Sequence, residues 1–141
     1  MINYARALDV EQSAKQIIAT LNLSYLDQGR IHFYRSVGSK ARRVQARIHG
    51  LGRIWFDALA IQPHYVIEVI SEEFDKLDAE EREKVIIHEL MHIPSGFSGG
   101  FVPHKGKINK RTVDAMHRRY CDAKRSGQNG RLDGSQVSST Q

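Results

Sequence analysis

The stretch VIIHELMHI, residues 85–93, holds two histidines four positions apart, with a glutamate directly after the first. Four positions on an α-helix turn through about 400°, so His88 and His92 project from one face about one turn apart. Two imidazoles in that arrangement can reach one zinc ion at about 2.0–2.1 Å each. Glu89 can then lie beside the ion and accept a proton from a zinc-bound water. The stretch therefore predicts a helix with His88 and His92 as metal ligands and Glu89 as catalytic base.

This H-E-x-x-H pattern is specific for a chain of this composition. With seven histidines in 141 residues, roughly 0.02 such matches are expected by chance. The apolar neighbours of the motif indicate a buried helix, in which an unpaired His–Glu–His face would be costly. A metal site is therefore favoured over ordinary packed histidines.

The motif leaves the metal one protein ligand short, because catalytic zinc usually takes three protein ligands and a water. Glu89 is the last glutamate of the chain, and serines stand where a metzincin has its glycine and third histidine. Three candidates remain: His104, Asp114 and His117. We favour His104, because the glycine-rich loop PSGFSGGFVP before it can turn the chain back toward the helix.

Neighbouring residues of the last predicted helix could polarise a scissile carbonyl or bind an oxyanion. They are His117, Arg118 and Tyr120. Helix phase alone does not choose among them.

The residues outside the motif predict one α+β domain over residues 1–125. Apolar residues at spacings of three and four predict an N-terminal helix at about 9–22, capped by Asp9. Strands are predicted at 31–36, 44–50 and 65–70. We therefore expect a compact, minimal fold with a small mixed sheet of three to four strands.

Helix boundaries are marked around and after the motif. Asp78 and Glu81 form a capping box that opens the motif helix at 78–91, and Pro94 ends it. A C-terminal helix is predicted at about 108–124. The polar residues 126–141 predict a disordered tail.

The chain has a net charge of +5 and a pI of about 9.5, and its acidic and basic residues are separated into blocks. No acid occurs between Asp27 and Asp57, where seven basic residues fall, and residues 105–125 are basic again. Such blocks are typical of solvated faces and also of nucleic-acid-binding surfaces. The alternative hypothesis is therefore a nucleic-acid-associated binding protein with a structural or degenerate zinc site. A second hypothesis keeps the enzyme and adds DNA association through its basic surface.

The compartment is indicated by two weak features. Cys121 is the single cysteine, which excludes an internal disulfide and favours a reducing compartment. Arg6 and Asp9 interrupt any apolar signal core at the start. We expect a cytoplasmic protein without a membrane anchor.

The stretch from Arg53 to Tyr120, with RIWFDALAIQPHYVIEVISEEFDKL leading into VIIHELMHIP and then GGFVPH, resembles the phage and archaeal metallopeptidase family. That family is similar to the SprT-like and WLM zinc proteases. The resemblance implies a zincin-like fold in which His88, His92 and His104 hold zinc and Glu89 is the catalytic base of an endopeptidase. It also implies that strand 65–70 borders the cleft and pairs with an extended substrate. One cysteine cannot supply the cysteine-rich DNA-binding modules common in SprT-like proteins.

Overall fold

The computed structural model describes the backbone of residues 1–139 and the side chains of residues 1–127. Its strands are β1 (Asn3–Arg6), β2 (Ile31–Val37), β3 (Ala46–Gly50) and β4 (Tyr65–Ile70). Its α-helices are α1 (Leu8–Thr20), α2 (Arg53–Leu59), α3 (Ser71–Phe74), α4 (Ala79–Met91) and α5 (Lys110–Ser139). The predicted α+β class, with its small mixed sheet, is confirmed.

The four strands form one sheet in the order β1-β2-β4-β3. The β1–β2 and β3–β4 pairs are antiparallel, and the β2–β4 pair is parallel. Because β4 is paired on both sides, its run YVIEVI is buried almost throughout, whereas β3 lies at an edge. The three strands predicted from the sequence are present, and β1 and α2 are additions to the prediction.

One face of the sheet packs against the helices. Successive side chains alternate between faces, and Phe33, Ile67 and Val69 point toward the same buried cluster as Ile17 of α1 and Leu90 of α4. Tyr120 of α5 is buried in that cluster too. The motif helix α4 is thus held between the sheet, α1 and α5.

The predicted cap of the first helix is wrong. The helix begins at Leu8, after Ala7, whose N–H still donates to Phe33 O of the neighbouring strand at 2.9 Å. The helix therefore begins two residues earlier than an Asp9 cap requires. Asp9 lies in the first turn instead, where its carboxylate meets Arg35 at 2.9 Å.

The cap of α4 is present as predicted. Asp78 Oδ1 accepts the N–H of Glu81 at 2.8 Å, which satisfies one of the free donors of the first turn. Helix α5 starts after Asn109, whose side chain accepts the N–H of Thr112 at 3.0 Å.

Two predictions reach beyond what the structure describes. The disordered tail predicted at 126–141 stays a prediction only for residues 140–141, which lie outside the described backbone; from 126 to 139 the described backbone belongs to α5. None of the helices that the structure describes combines the length and the apolar composition of a membrane-spanning segment. The cytoplasmic location likewise stays a prediction.

Candidate metal centre

Three histidines meet at one end of α4. His88 lies in the last turn of α4, His92 is its C-terminal cap residue, and His104 lies in the segment between α4 and α5. One ring nitrogen of each lies within 4.8 Å of the other two. The structure thus brings together the three residues that we favoured from the sequence.

The spacing of these nitrogens suits a tetrahedral ion. The Nε2 atoms of His88 and His104 are 3.1 Å apart. Two nitrogens bound to one zinc at about 2.0–2.1 Å with tetrahedral angles lie about 3.3–3.4 Å apart. Burial first, and then the neighbouring imidazoles, lower the pKa of His88. The neutral ring that results is the form that binds metal.

His92 is oriented by the backbone of the segment that follows the helix. Its Nδ1 donates to Val102 O at 2.8 Å, and Val102 N–H donates to His92 O at 2.8 Å. Because Nδ1 carries the proton of this bond, Nε2 is left with a lone pair. Such a partner fixes the tautomer and the ring plane of a metal-binding histidine.

The loop that leads to His104 is tied to the sheet by Tyr65. The Tyr65 hydroxyl accepts the N–H of Gly99 and donates to Gly100 O, both at 2.8 Å. Gly99 has φ +98°, and a Cβ there would lie 2.5 Å from the ring of Phe56. A side chain would therefore be excluded at Gly99 both by backbone conformation and by space.

Glu89 is on the wall of an open groove beside the histidines. It is only 6% exposed, and burial raises its pKa to about 7. A carboxylate with this pKa can accept and return protons near neutral pH. The groove has a volume of about 350 Å³. The residues of its wall include Arg43, Ala46, Lys84, His88, Glu89, Lys110, Val113 and Asp114.

The other candidate ligands have different partners. The carboxylate of Asp114 lies 3.2 Å from Lys84 Nζ and 2.8 Å from Lys110 Nζ. His117 Nε2 lies 2.9 Å from Glu83 Oε1. Neither joins the histidine cluster, because the ion pairs hold each side chain between α4 and α5.

The three candidates for oxyanion binding do not line the groove within the described part of the chain. His117 is held by Glu83, and His117 and Arg118 border a separate depression between α4 and α5. Tyr120 is 1% exposed in the core. Cations that do line the groove are Arg43, Lys84 and Lys110, none of which the motif indicated.

The strand expected to pair with a substrate is corrected by the sheet order. Both sides of β4 are occupied, by β2 and by β3, along its whole length. Within the described residues, the strand with an unpaired side next to the groove is β3, whose Ala46 lines the groove. The pairing continues one residue before β3, where Ile70 N–H donates to Gln45 O. Because the residues of an antiparallel pair alternate between bonding inward and facing outward, the N–H and C=O groups of Ala46 and Ile48 point away from β4.

The basic segment between Asp27 and Asp57 is partly neutralised. Arg30 pairs with Asp27, Arg35 with Asp9 and Asp75, and Arg47 with Glu68. The remaining four basic residues form no ion pair within the described residues. They are Lys40, Arg42, Arg43 and Arg53. The cationic surface is therefore smaller than the sequence suggests.

Sequence reasoning missed the groups that position the centre. The Val102 carbonyl and the Tyr65 hydroxyl act across 10 and 34–35 positions of sequence, and neither carries a local signal. Only the paired glycines after Phe97 hint that a close backbone approach occurs there.

The chain matches a known protein family. A family model described as "Putative phage metallopeptidase" matches residues 2–121. The matched range contains the three histidines, Glu89 and every strand of the sheet. No curated protein and no solved structure matches the chain. The expected similarity to SprT-like and WLM proteases stays a prediction.

Proposed function

The chain belongs to the phage metallopeptidase family, and from this premise we propose that it is a zinc-dependent endopeptidase. In this proposal His88, His92 and His104 hold the ion and Glu89 is the catalytic base. The observation that carries it is the meeting of three histidine nitrogens within 4.8 Å beside the groove that contains Glu89.

Zinc suits the donor set better than Mg²⁺ or Ca²⁺, because these prefer oxygen ligands and zinc prefers imidazole nitrogen. Three protein ligands also leave a fourth position open for water or substrate. When bound, zinc would polarise the scissile carbonyl and lower the pKa of the attacking water.

Glu89 performs the proton transfers. Its carboxylate accepts the proton of the attacking water and then donates it to the nitrogen of the leaving amine. Burial supports this role, because it raises the pKa of Glu89 to about 7. A carboxyl group with that pKa can both accept and donate a proton near neutral pH. Glu89 directly follows His88 on α4, so the base and one metal ligand are held by the same rigid helix.

The edge of β3 supports binding of an extended peptide. Its outward backbone groups at Ala46 and Ile48 can form ladder hydrogen bonds with a substrate main chain. Those bonds would be independent of sequence, and they would align the substrate beside Glu89.

Metal-dependent hydrolysis tests the proposal. Protein loaded with one equivalent of zinc should cleave reduced, carboxymethylated lysozyme, and 1,10-phenanthroline should stop the cleavage. Zinc added after dialysis should restore it. Cleavage that persists after complete removal of metal, or none with full zinc occupancy on a panel of unfolded substrates, would contradict it.

Nucleic-acid association is a second proposal. It is favoured by Lys40, Arg42 and Arg43, which stand together in the β2–β3 loop without an ion pair in the described region. Fluorescence anisotropy with single- and double-stranded DNA should show binding that weakens from 50 to 200 mM salt. Absence of salt-sensitive binding would remove it.

A further inference from the structure

Helix α2 presents its apolar side chains to solvent. None of its seven residues is buried, and Ile54, Trp55 and Leu59 are 77%, 52% and 53% exposed. Leu51, two residues before the helix, and Phe101, whose ring lies against Gly50, are also exposed. A helix of a folded domain normally turns such residues toward the core. These five residues, called here the α2 surface, therefore point to a binding partner.

The α2 surface adjoins the loop of the metal centre. Phe56, on the inner side of α2, packs so closely on Gly99 that a Cβ there would lie 2.5 Å from its ring. At the end of β3, a Cβ on Gly50 would lie 2.8 Å from the ring of Phe101. Phe101 directly precedes Val102, whose carbonyl orients His92. The surface is thus joined to the centre by short contacts.

The free edge of β3 leads from the groove to this surface. Ala46 lines the groove with Glu89, and Leu51 follows Gly50 at the other end of the strand. A peptide paired with the five residues of β3 rises about 3.3 Å per residue, or about 17 Å in all. Its continuation would then meet Leu51 and Gly52, and a Cβ on Gly52 would lie 3.9 Å from the Trp55 ring.

We propose that the α2 surface binds large apolar side chains of an extended polypeptide substrate, several residues away from the bond that is cleaved. This inference rests on the proposed function and adds a preference to it. The occupant is a substrate chain, because the surface follows the far end of β3, the strand whose open edge begins at the groove. Backbone pairing on β3 aligns any chain, whereas burial of its apolar residues on Trp55 selects among chains.

Trp55 is the single tryptophan of the protein, so its emission reports on this surface alone. The zinc-loaded Glu89→Gln variant would be titrated with a ten-residue Gly/Ser peptide carrying Leu at three alternate positions. A blue shift is expected, with at least tenfold weaker binding of the same peptide carrying Ser in place of Leu. No shift, or equal affinity for the two peptides, would overturn the inference.

Kinetics with the active protein give a second measurement. Trp55→Ala should raise KM for the leucine peptide about tenfold, with little change in kcat and little change for the serine peptide. Leu8→Ala is the matched control, because Leu8 is 58% exposed at the start of α1, next to the opposite edge strand. Equal behaviour of the two variants would overturn the inference while leaving the proposed function intact.

The remaining outcomes are also decisive. A selective blue shift, with no turnover of the panel of unfolded substrates by the zinc-loaded wild-type protein, would contradict the proposed function and would leave the α2 surface as a peptide-binding site without a substrate, which overturns the inference as stated. Sedimentation showing a dimer that Trp55→Ala dissociates would assign the surface to a second copy and overturn the inference. The same shift with phosphatidylcholine vesicles would assign the α2 surface to lipid binding and would likewise overturn the inference.

Discussion

At the scale of single residues, the candidate centre depends on groups that hold the histidines still. His92 has its Nδ1 committed to Val102 O and its backbone carbonyl to Val102 N–H. It is also only 7% exposed, so its ring has little freedom before a metal arrives. Pre-oriented ligands lose less conformational entropy on binding, and this raises metal affinity.

Replacement of Tyr65 by Phe tests how the loop is held. The ring remains and its two hydrogen bonds to Gly99 and Gly100 are lost. We expect zinc affinity to fall about tenfold and the free energy of unfolding to fall by about 1–2 kcal/mol. Competition with a chelating dye measures the affinity. Unchanged affinity would show that the loop is positioned without this hydroxyl.

The choice of third ligand is tested by zinc content. His104→Ala should lower zinc from one per chain to a substoichiometric amount after dialysis. Asp114→Ala and His117→Ala should retain it, because the structure commits these side chains to Lys84, Lys110 and Glu83. Elemental analysis of the three variants decides, and zinc lost with Asp114 but kept without His104 would reverse the assignment.

Sequence reasoning could predict His88, Glu89 and His92 together because helix periodicity places them relative to each other locally. The structure puts His104 beside them, as the intervening glycine-rich loop suggested. The partner of His117 could not be predicted, since Glu83 lies 34 positions away on a different helix. Tertiary packing alone determines that contact.

At the scale of elements, the sheet order decides which strand is open to a partner. The run YVIEVI in β4 has few residues that suit a solvated face, which is typical of a central strand. That signal was present in the sequence, but the resemblance pointed to β4 as the substrate strand. Helix α2 was not predicted from the sequence, because its apolar residues do not share a buried face.

The β3–β4 pair predicts a pH dependence of stability. Burial alone would raise the pKa of Glu68, but Arg47 at 2.9 Å and His49 at 2.7 Å lower it to about 2. The ordinary pKa of a glutamate side chain is 4.5, so the ion pair contributes fully above about pH 4.5 and is lost as the pH falls toward 2. The contribution is of the order of 3 kcal/mol.

Urea unfolding between pH 6 and pH 2.5 measures this contribution. The wild-type free energy of unfolding should fall more steeply below pH 4.5 than that of Glu68→Gln. Other carboxylates titrate in both proteins, so the difference between the curves isolates Glu68. Parallel curves would show that the ion pair does not determine the pKa of this carboxyl.

At the scale of the whole molecule, zinc would connect α4 with the segment that leads to α5. Free zinc at 100 times its Kd adds about 2.7 kcal/mol of stability. We expect the Tm to rise by about 5–10 °C for a domain of this size. The control is the double variant His88→Ala/His92→Ala, whose Tm should not rise with zinc. Equal shifts in both proteins would place zinc elsewhere.

The proposed chemistry is tested most directly by the turnover of one peptide by wild-type protein and by Glu89→Gln at equal zinc occupancy. Glutamine keeps the size of the side chain and cannot accept the proton of the attacking water. Turnover by the variant should fall about 10³-fold, with one zinc per chain still bound to the three histidines. Turnover within a few-fold of wild type at that occupancy would contradict the assignment of Glu89 as the base of a metallopeptidase.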